Sequence, residues 1–168
     1  MKTIRNNVFE TNSSSCHSIN FSTEFPDDQK DYPLLVTGDG DFGWGYDKLE
    51  TPTEKMNYAT IAYACICASE DECEQVLSEI KRVFATHGVN VNFSENDVGE
   101  QQAIWFEVDD WDKSGIATAH TSGYIDHQSQ PHESDNCERL AKMFRDDPDE
   151  LYSFVFGDAY IIIDNDNG

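Results

Sequence analysis

Residues 51–67, TPTEKMNYATIAYACIC, leave the backbone few choices. Thr51 stands three residues before Glu54, the pattern of a capping box, and Pro52 takes the first helical position, where a missing N–H costs nothing. Met56, Ala59, Thr60, Tyr63, Ala64 and Cys67 then recur at helical spacing and predict one buried helix face. A strand over TIAYACICA is the weaker competitor. A second helix is predicted from Ser69, with Glu70, Asp71 and Glu72 suited to the positive end of its dipole and Glu72 completing another capping box. Val76, Leu77, Ile80, Val83 and Phe84 form its apolar stripe, and Gly88 stops it.

Short strands surround these helices. Val89, Val91 and Phe93 alternate with Asn90 and Asn92, and residues 18–22, 33–37, 103–108, 115–120, 123–126 and 160–163 also read as strands. Ser134 caps a helix carrying Cys137, Leu140, Ala141, Met143 and Phe144. Pro148 opens a shorter one with Leu151, Tyr152 and Val155, closed by Gly157. The order predicts an α+β fold in a single domain over residues 1–168, a mainly antiparallel sheet packed against helices on one face.

Charge limits what such a domain can touch. Thirty-three acids face 11 bases, for a net charge of −22. That surface repels nucleic acid and anionic membranes and attracts basic partners or cations. Residues 94–112 hold seven acids and no Lys or Arg, and residues 126–150 hold eight. Duplex DNA carries a charge every ~1.7 Å, so this net charge equals that of roughly 11 base pairs. Spread over a domain ~30–35 Å across, it is dense enough to imitate a short duplex. The plainer alternative is an acidic coat for solubility or high salt.

No run of about 18 apolar residues exists, and MKTIRNNVFETNSSS lacks the apolar stretch of a secretory signal. Five cysteines, an odd number, read as reduced thiols in a cytoplasm.

Three constellations carry possible chemistry. In FETNSSSCHS (9–18), Ser15 and His17 share a face of an extended chain and form a candidate nucleophile and base. Asn12 and Ser13 stand beside them as binding groups. The competing reading is a turn in which Asn12 and the serines bond to nearby backbone. In GDGDFGWG (38–45), Gly38, Gly40 and Gly43 spell G-x-G-x-x-G, but no helix follows at once and Asp39 and Asp41 would repel a pyrophosphate. A calcium loop fails because Trp44 sits where glycine is needed. A Gly-rich turn with Phe42, Trp44 and Tyr46 over a core edge fits better. His120, His127, His132 and Cys137 are zinc-type ligands at non-standard spacing, and Cys65 and Cys67 diverge on a helix as packing thiols. No metal or cofactor is expected.

Two stretches together resemble a family of bacterial and phage hypothetical proteins. The opening matches at Arg5, Phe9, Glu10, Thr11, Asn12, Ser13, Ser14, Ser15, His17 and Ser18. The second matches at Phe42, Gly43, Trp44, Lys55 and Tyr58, with Asp41 where Glu is expected. The resemblance covers about a third of the chain. It implies a phage or mobile-element setting in the host cytoplasm and brings no activity with it. It also groups the N-terminal Asn, Ser and His with Trp44 as one site for a small anion or nucleotide.

Three functions follow as expectations. The first is an accessory protein that binds a basic, nucleic-acid-binding host protein, with Asp109, Asp110 and Asp112 among the groups imitating phosphates. The second is an enzyme using Ser15 and His17, with Asp39 and Asp41 nearby. The third is a structural phage protein. Neither direct nucleic-acid binding nor membrane binding is expected, and the sequence leaves the oligomeric state open.

Overall fold

A computed structural model describes residues 15–43, 45–94, 102–108 and 114–165. Along the chain lie β1 (Ser15–Asn20), β2 (Tyr32–Val36), β3 (Asp41–Phe42), β4 (Asp47–Leu49), α1 (Pro52–Ala64), α2 (Glu70–Thr86) and β5 (Val89–Phe93). They are followed by β6 (Trp105–Val108), β7 (Ala117–His120), β8 (Tyr124–Ile125), α3 (Asp135–Asp146), α4 (Pro148–Phe156) and β9 (Tyr160–Asn165).

The fold is α+β, as the element order predicts. The described strands form four small sheets rather than one. In the largest, β9 lies between β1 and β4 and is antiparallel to both. The β6–β7 hairpin is antiparallel as well. The pairs β2–β5 and β3–β8 are parallel. Both helices α1 and α2 intervene between β2 and β5, which gives the chain the length a parallel return requires.

The caps form as the sequence dictates. Glu54 N donates to Thr51 Oγ1 at 3.3 Å and Thr51 N donates to Glu54 Oε2 at 3.0 Å, so the box at α1 is complete. Ser69 Oγ accepts from Glu72 N at 3.2 Å at the start of α2. The return arm expected from Glu72 is missing: its Oε1 is buried with no hydrogen-bond partner.

Helix α1 departs from a one-sided helix. Lys55, Met56 and every residue from Tyr58 to Ala64 are buried. The helix packs against β2, β8, α3 and α4, so its whole circumference meets protein. Around it runs one apolar core from Ile19 to Ile163. By contrast α2 is amphipathic, burying Cys73, Leu77, Ile80, Val83 and Phe84. Among the described residues no helix is long and apolar enough to cross a membrane.

Gly88 shows why α2 stops where it does. Its φ is +75°, and a Cβ there would overlap the Gln29 carbonyl, lying 2.7 Å from Gln29 C. This close approach lets Gln29 N donate to His87 O (2.8 Å) and Tyr32 N donate to Gly88 O (2.9 Å), which aligns β2 with β5. Gly88→Ala adds left-handed strain to a backbone clash, and we expect a loss of about 2 kcal/mol in chemical denaturation. An unchanged midpoint would mean that the 29–32 segment yields freely.

Candidate functional site

Strand β1 alternates cleanly. Cys16, Ser18 and Asn20 are exposed, whereas His17 and Ile19 point into the core. His17 faces Ile163 of β9 across the pair and is 7% exposed. Its Nδ1 lies 2.9 Å from the hydroxyl of Tyr58, which is fully buried on α1. The Tyr58 oxygen in turn lies 4.0 Å from Cys137 Sγ on α3. Phe42 of β3 packs its ring on Tyr58 at 5.2 Å, and its backbone hydrogen-bonds to His17.

Burial sets the protonation of this cluster. It lowers the His17 pKa to about 4, against the raising influence of Asp126 and the Phe42 backbone. It pushes the Tyr58 hydroxyl well above its ordinary value and Cys137 up to about 12. At neutral pH all three groups are uncharged. His17 is thus bonded to the Tyr58 hydroxyl through Nδ1 and to the Phe42 backbone, while Tyr58 Oη donates towards Cys137 Sγ. These bonds tie His17 to α1 and β3 within the core.

Lys55 is the second buried polar group of α1. Its Nζ donates to Gly157 O at 3.1 Å and Ala159 O at 2.9 Å, fastening the helix to the turn between α4 and β9. Burial lowers its pKa to about 8, opposed by Asp158 and Glu50. His17, Phe42, Lys55 and Tyr58 all belong to the two motif stretches, and here each is buried around α1.

In the Gly-rich segment, residues 38–40 lead into β3 and Phe42 is buried, but Tyr46, expected over a core edge, is exposed. Gly123 N donates to Gly38 O (2.7 Å) and Tyr124 N donates to Gly40 O (2.8 Å), which sets β3 beside β8. Asn57 Oδ1 accepts from Thr37 N and Gly38 N at 3.0 and 3.1 Å. The exposed Asp39 and Asp41 accept from Gly40 N (2.8 Å) and Gly43 N (3.2 Å) of their own loop. Ser15 starts β1 in register with Asn165. Asn12, Ser13, Trp44, Asp109, Asp110 and Asp112 lie outside the described residues. Among the described residues no three His, Cys, Asp or Glu gather to hold a metal. The zinc-type residues part company: His120 bonds to Thr118, His127 to Asp126, and Cys137 is in the core.

The acids gather elsewhere. A shallow groove of about 360 Å³ between α3 and α4 is lined by Asp135, Glu138, Asp146, Asp147 and Glu150, with Arg139 and Lys142. A neighbouring groove of about 420 Å³ adds Glu24 and Asp149. The two therefore share a rim of seven carboxylates against two bases. Both bases are engaged, Lys142 with Glu138 at 2.6 Å and Arg139 with Glu150 at 3.0 Å. Arg139 also lies 3.9 Å over the Phe21 ring. Asp126, one of the eight acids of residues 126–150, is buried and takes no part. Glu24 and Asp149 reach this face together because Ser153 Oγ donates to Glu24 O at 3.1 Å and Tyr152 Oη donates to Asp27 O at 2.8 Å. No local pattern in the sequence announces that junction.

Comparison of the chain with known protein families, with curated proteins and with solved structures finds no match.

Proposed function

We propose that the chain is a binding protein of phage or mobile-element type, which sets the acidic α3–α4 face on a basic, nucleic-acid-binding protein of the host. One observation carries this reading: seven carboxylates from three segments of the chain converge on two adjoining open grooves. Exposed ion pairs within the grooves contribute little to stability, so their side chains are free to re-pair with a partner. A net charge of −22 accelerates encounter with a basic surface and makes it salt-sensitive. The seven acids of residues 94–112 contribute to the same net charge.

The test compares two variants that each lose four charges. One carries Asp135→Asn, Glu138→Gln, Asp146→Asn and Asp149→Asn in the grooves. The other carries Asp39→Asn, Asp41→Asn, Asp47→Asn and Glu50→Gln around β3 and β4. Tagged protein is incubated with bacterial lysate at low salt, and retained proteins are eluted with a salt gradient. We expect one basic nucleic-acid-binding protein to be retained, at least about tenfold more weakly by the groove variant, or about 1.4 kcal/mol. The second variant should bind like the wild type. Equal weakening of both variants would reduce the effect to net charge. No retained protein would remove the reading altogether.

A further inference from the structure

His87 closes α2 and holds its ring where three parts of the chain meet. It is the C-cap of that helix, so a positive charge on it faces the negative end of the helix dipole. Its ring stacks on Tyr152 of α4, with centroids 4.1 Å apart and planes 15° from parallel. Phe25, from the segment between β1 and β2, packs on it at 5.4 Å. Nδ1 lies 2.7 Å from Asp28 Oδ1 of the same segment, and Nε2 lies 3.2 Å from Asp149 Oδ1 of α4. The two acids stand 59 and 62 residues from His87, so no spacing in the sequence announces the junction.

Two carboxylates on one imidazole fix its protons. An ionised carboxylate accepts hydrogen bonds and cannot donate them, so both ring nitrogens must donate. A ring that donates from both nitrogens carries a positive charge. The Tyr152 face beneath it and the helix end both favour that charge. Burial of the ring opposes it, but the bonds and charges of Asp28 and Asp149 prevail and raise the His87 pKa above its ordinary value. The remaining neighbours leave this balance in place. Arg82 of α2 acts on Asp149. Glu150, next to Asp149 in α4, is paired with Arg139 at 3.0 Å. Asp27 stands beside Asp28, and its carbonyl takes the Tyr152 hydroxyl. Strand β5, which follows His87, brings no titratable residue.

We propose that His87 is a proton-operated latch between the 21–31 segment and α4, which holds Asp149 while the ring is charged and releases it when the ring loses a proton. A neutral imidazole has one N–H and can keep one carboxylate. The shorter bond, to Asp28, is the one retained, with its proton on Nδ1. The Nε2 proton passes to solvent, which 16% of the side chain reaches. The Nε2 lone pair then faces Asp149 Oδ1 and repels it. Asp149 is 65% exposed, so its carboxylate turns into water. The segment itself stays fastened, because Ser153 and Tyr152 still donate to the Glu24 and Asp27 carbonyls. A raised folded-state pKa makes the latch stabilising below the unfolded-state value, and this contribution is lost as pH rises through the folded-state one. Asp149 also lines the groove it shares with Glu24. Its release adds an unmatched carboxylate to that rim as pH rises. This last consequence rests on the function proposed above, whereas the latch does not.

The test uses the full-length protein alone, so its outcome is separate from that of the lysate experiment. The imidazole nitrogens are followed by NMR as pH is raised from acid to alkaline. His87 should titrate at a higher pH than the histidines of the urea-unfolded chain and should end as the Nδ1–H tautomer. Asp149→Asn should bring that titration down, because a charge that favours the imidazolium is gone. A double-mutant cycle of His87→Leu and Asp149→Asn, read by urea unfolding, isolates the bond. The coupling should be about threefold in the unfolding constant at pH 6 and should vanish once His87 has titrated. The cycle cancels Lys55, whose pKa burial lowers to about 8, because all four proteins carry it. A titration at or below the unfolded-chain value, an Nε2–H tautomer, or a coupling that pH leaves unchanged would overturn the latch. The wild-type titration decides this even if the His87 variant folds poorly.

Discussion

Tyr58→Ala is expected to cost about 5 kcal/mol of folding stability and to leave the chain largely unfolded at 37 °C. The ring is completely buried in the middle of α1. Removing such a ring from a packed core costs about 3–5 kcal/mol, because the lost transfer energy adds to the cavity left behind. The polar loss comes on top. Without the hydroxyl, His17 Nδ1 loses its 2.9 Å contact, and removing one partner of a buried hydrogen bond costs about 1–3 kcal/mol. Phe42 loses the ring it packs against as well. Such a sum rivals the whole stability of an ordinary domain, about 5–15 kcal/mol. Tyr58→Phe separates the contributions: it keeps the ring and should cost only about 2 kcal/mol. Urea unfolding of both variants checks the pair. Equal losses would show that the hydroxyl alone matters. A Tyr58→Phe variant as stable as the wild type would show that water replaces the bond to His17.

Acid should weaken the protein through His17. Its pKa is about 4 in the folded state against 6.5 in the ordinary state, so between these values the unfolded chain binds the extra proton. Stability from this group is complete above pH 6.5 and lost as pH falls towards 4. Two and a half pH units at about 1.4 kcal/mol each amount to about 3.5 kcal/mol. About 2 kcal/mol of that should disappear between pH 7 and pH 5, above the isoelectric point near 4.2 where association would interfere. His17→Leu removes the group, so the stability of wild type relative to this variant should fall by that amount over the same range. The subtraction cancels the carboxylates common to both. A His17 imidazole that titrates near 6.5 by NMR would contradict the buried, neutral assignment.

What could be read in the sequence depended on how local each signal was. Ser69, Ser134, Pro52, Pro148 and Gly88 mark helix ends within three or four residues of the groups they serve, and the structure puts the helices there. The alternation that separates exposed Cys16 from buried His17 is equally local. Strands β3 and β4 have two and three residues, too few to display a period, and their segment reads as turn. Helix α1 looked one-sided because Lys55 falls off the face that Met56, Ala59, Thr60 and Tyr63 define. Lys55 is buried nonetheless, reaching carbonyls more than a hundred residues away, while on the expected face Thr60 Oγ1 donates to Met56 O at 2.8 Å. The His17–Tyr58 bond spans 41 residues and the Ser153–Glu24 bond 129, distances over which composition and spacing carry no information. The acidity of residues 126–150 was countable. Its union with Glu24 was not.

The placement of β9 between β1 and β4 sets a timetable for synthesis. Asn20 of β1 meets Tyr160 of β9 only after 140 further residues have been made. At ~5–20 residues per second this takes roughly 7–30 s. Throughout that interval β1 presents an unsatisfied strand edge, with the side chains of His17 and Ile19 uncovered. The nascent chain therefore passes through a stage in which its N-terminal strand is open to capture by a chaperone or a foreign strand. Escape from that stage waits on the arrival of β9.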